Sequence, residues 1–259
     1  MQTLEWCLEK DEYDNFFIRI STGRDSQDVP EVLPVSYIVS WSGGKDSCLA
    51  GYLAMKQGYS ISHLMNFIAG ESRRVQFHGS EARLVQLQSQ ALDIPLVQKE
   101  TTLDGYEREF KQAVQSLIPA GVKGMIFGDI FLLGHENWAE RVCNEIGIES
   151  VEPLWGKNAE EILSNFINYG FKAIIVTARA ELIGKEWIGR LVDKEFIEYI
   201  KNEGIDICGE SGEYHTLVVD GPIFKKKIEI VQSEAIRRGD YWFLDTYSYR
   251  LVNNVRSPL

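Results

Sequence analysis

The stretch Ser40-Trp41-Ser42-Gly43-Gly44-Lys45-Asp46-Ser47 stands between an apolar run, Val35-Ser36-Tyr37-Ile38-Val39, and a segment over 47–57 with apolar residues at helical spacing. A strand that ends in Ser-Gly-Gly and opens a helix presents backbone N–H groups at the positive end of that helix, and such a junction binds anions. Gly43 and Gly44 permit the tight turn and the close approach of phosphate oxygens, Lys45 adds a mobile charge, and the hydroxyls of Ser42 and Ser47 add donors. This is not the Walker A pattern, because Lys45 is followed by Asp46 and no glycine stands at the required earlier position. An acid beside phosphates is repelled unless it holds a divalent cation, so Asp46 points to Mg²⁺ bridging it to a nucleotide. The competing reading, an ordinary Gly-rich turn with a solvated Lys-Asp pair, is disfavoured by the strand before and the helix after.

Composition narrows the classes further. The chain has 259 residues, enough for one large or two ordinary domains, a formal net charge of -11 and a pI near 5.0. That balance argues against a general nucleic-acid binder, whose affinity comes from clustered Lys and Arg. Cys7, Cys48, Cys143 and Cys208 form no C-x-x-C pair, so neither a zinc site nor a disulfide framework is indicated, and they read as reduced thiols. No apolar stretch approaches the roughly 20 residues of a membrane span and the start is unlike a signal peptide, so a cytoplasmic location is expected.

From 35 onward, apolar runs alternate with amphipathic ones in the manner of βαβ units, which predicts a parallel sheet covered by helices. Strands are expected over 35–40, 61–68, 95–98, 124–127 and 149–151, with helices over 47–57, 80–92, 106–117 and 136–146. A second set follows Pro153-Leu154-Trp155: a helix over 160–169, a strand over 172–177, a helix over 194–202, and then strand-like sequence with a hairpin turn at Arg238-Gly239-Asp240. The expected units are an extension over 1–34, a nucleotide-binding domain over 35–152 and a substrate-binding domain over 153–259. Phe16-Phe17-Ile18-Arg19-Ile20 suggests a strand added to either domain or used in self-association as a homodimer, and Lys225-Lys226-Lys227 reads as a charged strand edge.

SGGKDS at the end of the first strand resembles the pyrophosphate-binding loop of the N-type ATP pyrophosphatases, which cleave ATP between the α and β phosphates. Within that superfamily the chain is similar to the diphthine-ammonia ligase family. The likeness runs through His78, Leu87-Gln88-x-x-Ala91-x-x-Ile94-Pro95, Pro153-Leu154-Trp155-Gly156, Trp187-Ile188-Gly189-Arg190, the run from Cys208 to Thr216, and Asp220-Gly221-Pro222-x-Phe224. It covers roughly 36–231. The resemblance implies an α/β fold, a parallel Rossmann-like sheet of the adenine nucleotide alpha hydrolase type with a smaller α+β C-terminal domain. It also implies an amide ligase: a carboxylate on a protein side chain or small molecule attacks the α phosphate of ATP with Mg²⁺ present, pyrophosphate leaves, and ammonia, supplied as ammonium, then displaces AMP.

Carried onto these positions, the resemblance makes Ser40, Ser42, Gly43, Gly44, Lys45, Asp46, Ser47, Phe67, His78 and Gly128 nucleotide-binding and Asp46 the metal ligand. Lys45, Asp46, Glu210 and Glu213 are the expected catalytic residues; Asp129, His135, Trp155, Trp187, Glu210, Glu213 and His215 are expected to face the second substrate. Two carboxylates separated by Ser-Gly and followed by a histidine suit ammonium binding, Mg²⁺ orientation or proton transfer. Bland readings stand beside these: His78 as a loop histidine, Trp155 and Trp187 as core aromatics, Glu210 and Glu213 as a solvated loop. The chain departs from the family's pattern over 128–140 and at Ser211 and His215, and Asp129 brings a carboxylate to the end of a parallel strand, where open α/β sheets bind ligands. Two alternatives remain open, a tRNA-thiolating enzyme of the same superfamily and an ATP-binding sensor without turnover.

Overall fold

Strands buried on both faces read as continuous apolar runs, and the run at 35–39 becomes such a strand. In the computed structural model, which describes residues 5–10, 16–21, 35–70, 72–131 and 137–254, β3 (Ser36–Ser40) sends Val39 into one core and Ile38 into another. Around it lie β4 (Ile61–Ala69), β6 (Leu96–Thr101), β7 (Val122–Ile126) and β8 (Glu149–Val151), all parallel, in the order β6-β4-β3-β7-β8. The short β5 (Arg74–Val75), not expected from the sequence, pairs antiparallel with the end of β4. The expected strand over 95–98 is longer, because β6 pairs with β4 as far as Thr101.

Helices α1 (Lys45–Lys56), α2 (Ala82–Leu92), α3 (Tyr106–Gln115) and α4 (Trp138–Glu145) carry the crossovers. Phe110 and Val114 of α3 and Val142 of α4 close one face of the sheet against Ile38, Met65 and Met125. The other face packs Leu49 and Ala50 of α1 and Leu84 and Val85 of α2 into a cluster that continues into the C-terminal half.

That half contains α5 (Ala159–Asn168), β9 (Lys172–Arg179), α6 (Lys194–Asn202), β10 (Tyr214–Asp220), β11 (Lys226–Arg238) and β12 (Tyr241–Asn253). Its strands form an antiparallel sheet in the order β10-β9-β12-β11, the last two joined at the expected Gly239-Asp240 turn. Asn158 and Asp193 cap α5 and α6 by accepting from the amides of Glu161 and Phe196. One apolar cluster contains Val39 and Ile126 of the parallel sheet together with Ile175, Leu217 and Leu244 of the antiparallel one. The two sheets are thereby fixed on each other. Near the N-terminus, β1 (Glu5–Lys10) and β2 (Phe16–Ser21) pair antiparallel. Among the described residues no helix is long and apolar enough to cross a membrane.

Candidate active site

In a sheet ordered β6-β4-β3-β7-β8, connections leave β3 and β7 in opposite directions, so a crevice opens between the C-terminal ends of those two strands. The glycine loop follows β3 and Gly128-Asp129 follows β7, and both border a cavity of about 450 Å³. Gly43 sits at φ +86, the left-handed region that favours glycine, and a β-carbon there would lie 2.7 Å from Gln88 Oε1. Gly128 is required by closeness instead: its added β-carbon would meet Ser47 N at 2.6 Å and Asp46 C at 2.8 Å. Gly128 therefore lets β7 pack directly on the first turn of α1.

The loop is clamped by side chains remote in sequence. Gln88, fully buried, accepts from Trp41 Nε1 at 2.9 Å and donates through Nε2 to the carbonyls of Gly43 at 2.8 Å and Val218 at 2.7 Å. Val218 N donates to the Gly43 carbonyl at 2.9 Å, and Lys45 N donates to Thr216 Oγ1 at 3.0 Å. Ser42 Oγ lies 3.2 Å from Ser47 Oγ and accepts from Gly44 N at 3.3 Å. The C-terminal sheet thus forms one wall of the loop.

Lys45 is 4% exposed, and its ammonium donates to Asp46 Oδ2 at 2.9 Å and to the Cys208 carbonyl, 5.2 Å from the centre of the Tyr214 ring. Burial works against its charge, but Asp46, Tyr214 and Cys208 outweigh that and hold its pKa above the ordinary value. Asp46 is pushed up by burial against the pull of Lys45. Its Oδ1 is buried with no hydrogen-bond partner. A hard cation sharing its other ligands among phosphate oxygens and water fits that orphaned oxygen, since Mg²⁺ sites commonly take one or two carboxylates. Among the described residues no group of three or more His, Cys, Asp or Glu is arranged to hold a metal.

The cysteine carbonyl that receives Lys45 is held by a residue without an assigned role in the sequence. Asp206 Oδ1 accepts from the amides of Cys208 at 2.9 Å, Gly209 at 2.6 Å and Glu210 at 3.1 Å. This folds the motif so that Glu210 faces the cavity. Burial, reinforced by the charge of Asp46, raises the Glu210 carboxyl from 4.5 to about 7, while Lys45 and the Phe131 N–H pull the other way. Cys208, like Cys48 and Cys143, is a buried free thiol, and burial raises all three pKa values.

His78 and His215 also line the cavity, with ring centres 4.6 Å apart and planes inclined by 46°. Both stay neutral: burial, His215 and Lys45 drive His78 well below its usual range, and burial with Lys45 brings His215 to about 4. At the other end, Phe67, Phe127, Tyr106 and Trp138 form an aromatic wall, with Phe67 and Tyr106 edge to face at 5.1 Å.

Of the residues singled out from sequence, Ser40, Ser42, Lys45, Asp46, Ser47, Phe67, His78, Gly128, Asp129, Trp155, Glu210 and His215 border this one cavity. Gly43 and Gly44 shape its loop. Two expected cavity residues lie elsewhere. Glu213 turns back into its own loop, accepting from Ser211 N at 3.0 Å, because the reversal at Gly212 leaves that amide in reach. Trp187 is 6% exposed and packs on Phe196 at 5.2 Å and Tyr199 at 4.9 Å, with the Arg190 guanidinium 4.3 Å over its ring. His135 lies outside the described residues. Gln88, Asp206, Thr216, Tyr106 and Glu152 join the site without having been assigned to it. Gln88 and Thr216 lie in the motif stretches, but their partners are set by tertiary contact alone.

Comparison with known proteins matches 35–150 to the diphthamide synthase N-terminal domain and 158–254 to the diphthamide synthase C-terminal domain. The diphthine–ammonia ligase of Mus musculus is 30% identical over 222 residues, covering 75% of this chain and 82% of that protein. That of Danio rerio is 30% identical over 227 residues, 77% of this chain and 88% of the relative, and the Homo sapiens protein is 28% identical over 222 residues, 75% of this chain and 82% of the relative. A solved structure described as a predicted subunit of tRNA methyltransferase from Methanocaldococcus jannaschii aligns at 16% identity and a TM-score of 0.41, covering 73% of this chain and 98% of that one. At that level the likeness says nothing of activity. The two domain matches and the extent of the relatives place this chain in the diphthine–ammonia ligase family.

Proposed function

We propose that the protein is an ATP-dependent, AMP-forming amide ligase that converts the carboxylate of diphthine, or of a closely similar acceptor, to an amide with ammonia. The observation that carries this reading is the meeting of the α1 N-terminus, the Lys45–Asp46 pair and the raised carboxyl of Glu210 around one cavity. ATP lies with its purine toward Phe67, Phe127 and Tyr106 and its phosphates at the glycine loop and the start of α1. A carboxylate oxygen of the acceptor attacks the α phosphorus, the bond from that phosphorus to the bridging oxygen breaks, and pyrophosphate departs with the electron pair. Lys45 and the helix N-terminus stabilise the charge that grows on it, which lowers the barrier more than it tightens the ground state. Asp46, whose Oδ1 has no hydrogen-bond partner, would hold Mg²⁺, and the ion when bound would supply further positive charge to the polyphosphate.

In the second half Glu210 acts as base. Ammonium gives it a proton and becomes nucleophilic NH₃; the nitrogen attacks the acyl carbon, the acyl C–O bond breaks with its electron pair going to the departing AMP phosphate, and the second proton passes from the nitrogen to solvent water. A carboxyl with pKa about 7 suits proton transfer near neutral pH. Within this reading 35–152 binds the nucleotide, 153–259 presents Glu210 and His215 to the acceptor, and 1–34 is an extension.

The test is product analysis with ATP, ammonium and diphthine-bearing elongation factor. AMP and pyrophosphate in equal amounts, with the acceptor lighter by the mass change of acid to amide, is the expected result. ADP and phosphate would overturn the reading, and AMP formed with a thiolated tRNA would move the chain to the tRNA-modifying class.

A further inference from the structure

A second groove, of about 730 Å³, adjoins the nucleotide cavity and shares Val75, Gln76 and Phe77 with its wall. Three features of it are unused by the chemistry above. Phe77 is 62% exposed at the cavity mouth and has φ +66, a conformation that costs a bulky residue free energy. The turn holds it there: Val75 N donates to the Ser80 carbonyl at 2.7 Å, and Gly79 N to the Val75 carbonyl at 3.0 Å. The ring meets Tyr106 edge to face at 5.3 Å and leaves the rest of its surface in water beside the site, where a partner's apolar surface gains by covering it.

The facing side carries charge. Arg74 and Arg238 lie 5.2 Å and 5.6 Å over the ring of Phe243, and both pair with the single carboxylate of Asp245 at 2.6 Å and 2.5 Å. Among the described residues, two guanidiniums share one carboxylate, a surplus of one positive charge, and no acidic residue lines the groove. This stands on a chain of net charge -11. Finally, Gln76 Oε1, on the wall common to groove and cavity, is buried without a hydrogen-bond partner.

We propose that this groove docks the acceptor protein: an acidic polypeptide segment crosses Phe77 and pairs with Arg238, and its reacting side chain passes Gln76 into the nucleotide cavity. The proposal rests on the ligase reading and adds the direction from which the acceptor enters. Exposed aromatic and arginine side chains are the residue types that anchor protein interfaces. A polypeptide fits better than a nucleic acid, because one net positive charge is far short of the clustered Lys and Arg that phosphate backbones require.

Direct titration of elongation factor onto the full chain without ATP tests the groove apart from turnover. Arg238→Glu is expected to weaken binding about tenfold or more, as reversing a charge opposite an acidic partner does, while ATP affinity stays within about twofold. Added salt should weaken wild-type binding more than that of the variant. Phe77→Ser, checked for folding by thermal melting, is expected to weaken acceptor binding by a similar factor. Equal acceptor affinity in wild type and both variants overturns the proposal, as does loss of RNA binding or self-association in Arg238→Glu with acceptor binding intact. A wild type that binds the acceptor through this groove yet forms no AMP leaves the docking inference standing and removes the ligase reading.

Discussion

The loop at 40–47 and the run at 208–216 border the same cavity, but the two are built on different principles. In the loop the backbone conformation carries the signal: a strand end, a left-handed glycine and a helix start follow one another within a few residues, so spacing in sequence translates directly into local geometry. In the C-terminal run each side chain is assigned by what lies opposite. Cys208 gives only its carbonyl to Lys45, Glu210 faces the cavity, Tyr214 packs beside the ammonium and Thr216 holds the Lys45 amide. A motif of the first kind can be read one residue at a time, whereas one of the second kind can be read only with its partners in place.

Lys45, where the two regions meet, carries the largest expected effect. Lys45→Ala should lower AMP formation by about 10²–10³, the range for losing one preorganised donor to developing charge. Because the ammonium is buried and paired, rather than free in a solvated loop, the same change should also cost about 1–3 kcal/mol of stability by leaving Asp46 and the Cys208 carbonyl unmatched. Turnover at the wild-type rate in the folded variant would dissolve the link between the regions.

Glu210→Gln comes next, and it separates the halves of the reaction. Pyrophosphate exchange with the acceptor present should persist while amide formation falls about 10²-fold, the scale of a general base. In the wild type, amide formation should rise as pH passes through about 7, where Glu210 gives up its proton. The sign for stability is opposite. A carboxyl raised from 4.5 to about 7 on folding favours the protonated folded state, so its contribution is fully present below 4.5 and lost as pH rises to about 7. Above that pH the variant should be more stable than wild type by about 1–3 kcal/mol, after allowance for partial exposure, and the gap should close near pH 4.5. A variant with no pH-dependent gain would show that Glu210 is not held in a desolvated place.

Asp46→Asn should raise the Mg²⁺ concentration needed for half-maximal rate several-fold, since a neutral amide oxygen is a poorer ligand for a hard cation. A Mg²⁺ titration superimposable on wild type would show that Asp46 does not hold the ion.

These outcomes follow the line between what was legible in the sequence and what was not. The parallel sheet, the loop and its helix follow from alternating apolar runs and a glycine pair, because those signals are local. β6 reaches Thr101, beyond its expected end, because pairing with β4, not the propensity of Lys99 and Glu100, decides its length. The two-residue β5 is too short to leave a pattern. The packing of β10 on the glycine loop was also invisible, since Gln88 and Thr216 carry no special signal until their partners, 45 and 171 residues away in sequence, stand beside them.

Glu213 provides the smallest effect and the sharpest test of the comparison. As a polar residue in a motif beside Glu210, it reads from sequence as a second acid-base group, yet its Oε2 accepts from Ser211 N at 3.0 Å. Its carbonyl accepts from Arg179 N at 2.9 Å, and Arg179 Nη2 donates to the Ser211 carbonyl at 3.0 Å, so the turn at 211–213 is closed by its own Glu213 side chain and by the end of β9. Glu213→Gln keeps an oxygen for the Ser211 amide and should leave both pyrophosphate exchange and amide formation within about threefold of wild type, with a loss of less than about 1 kcal/mol. Glu213→Ala removes the acceptor and should cost about 1 kcal/mol while sparing the ratio of the two half-reactions. That ratio is the measurement that matters, because a loosened turn slows both halves together through Glu210, whereas a lost base slows only the second. If Glu213→Gln cuts amide formation a hundredfold at an unchanged melting temperature, the side chain reaches the reacting atoms during turnover, and the motif is closer to the loop in kind than its resting geometry indicates.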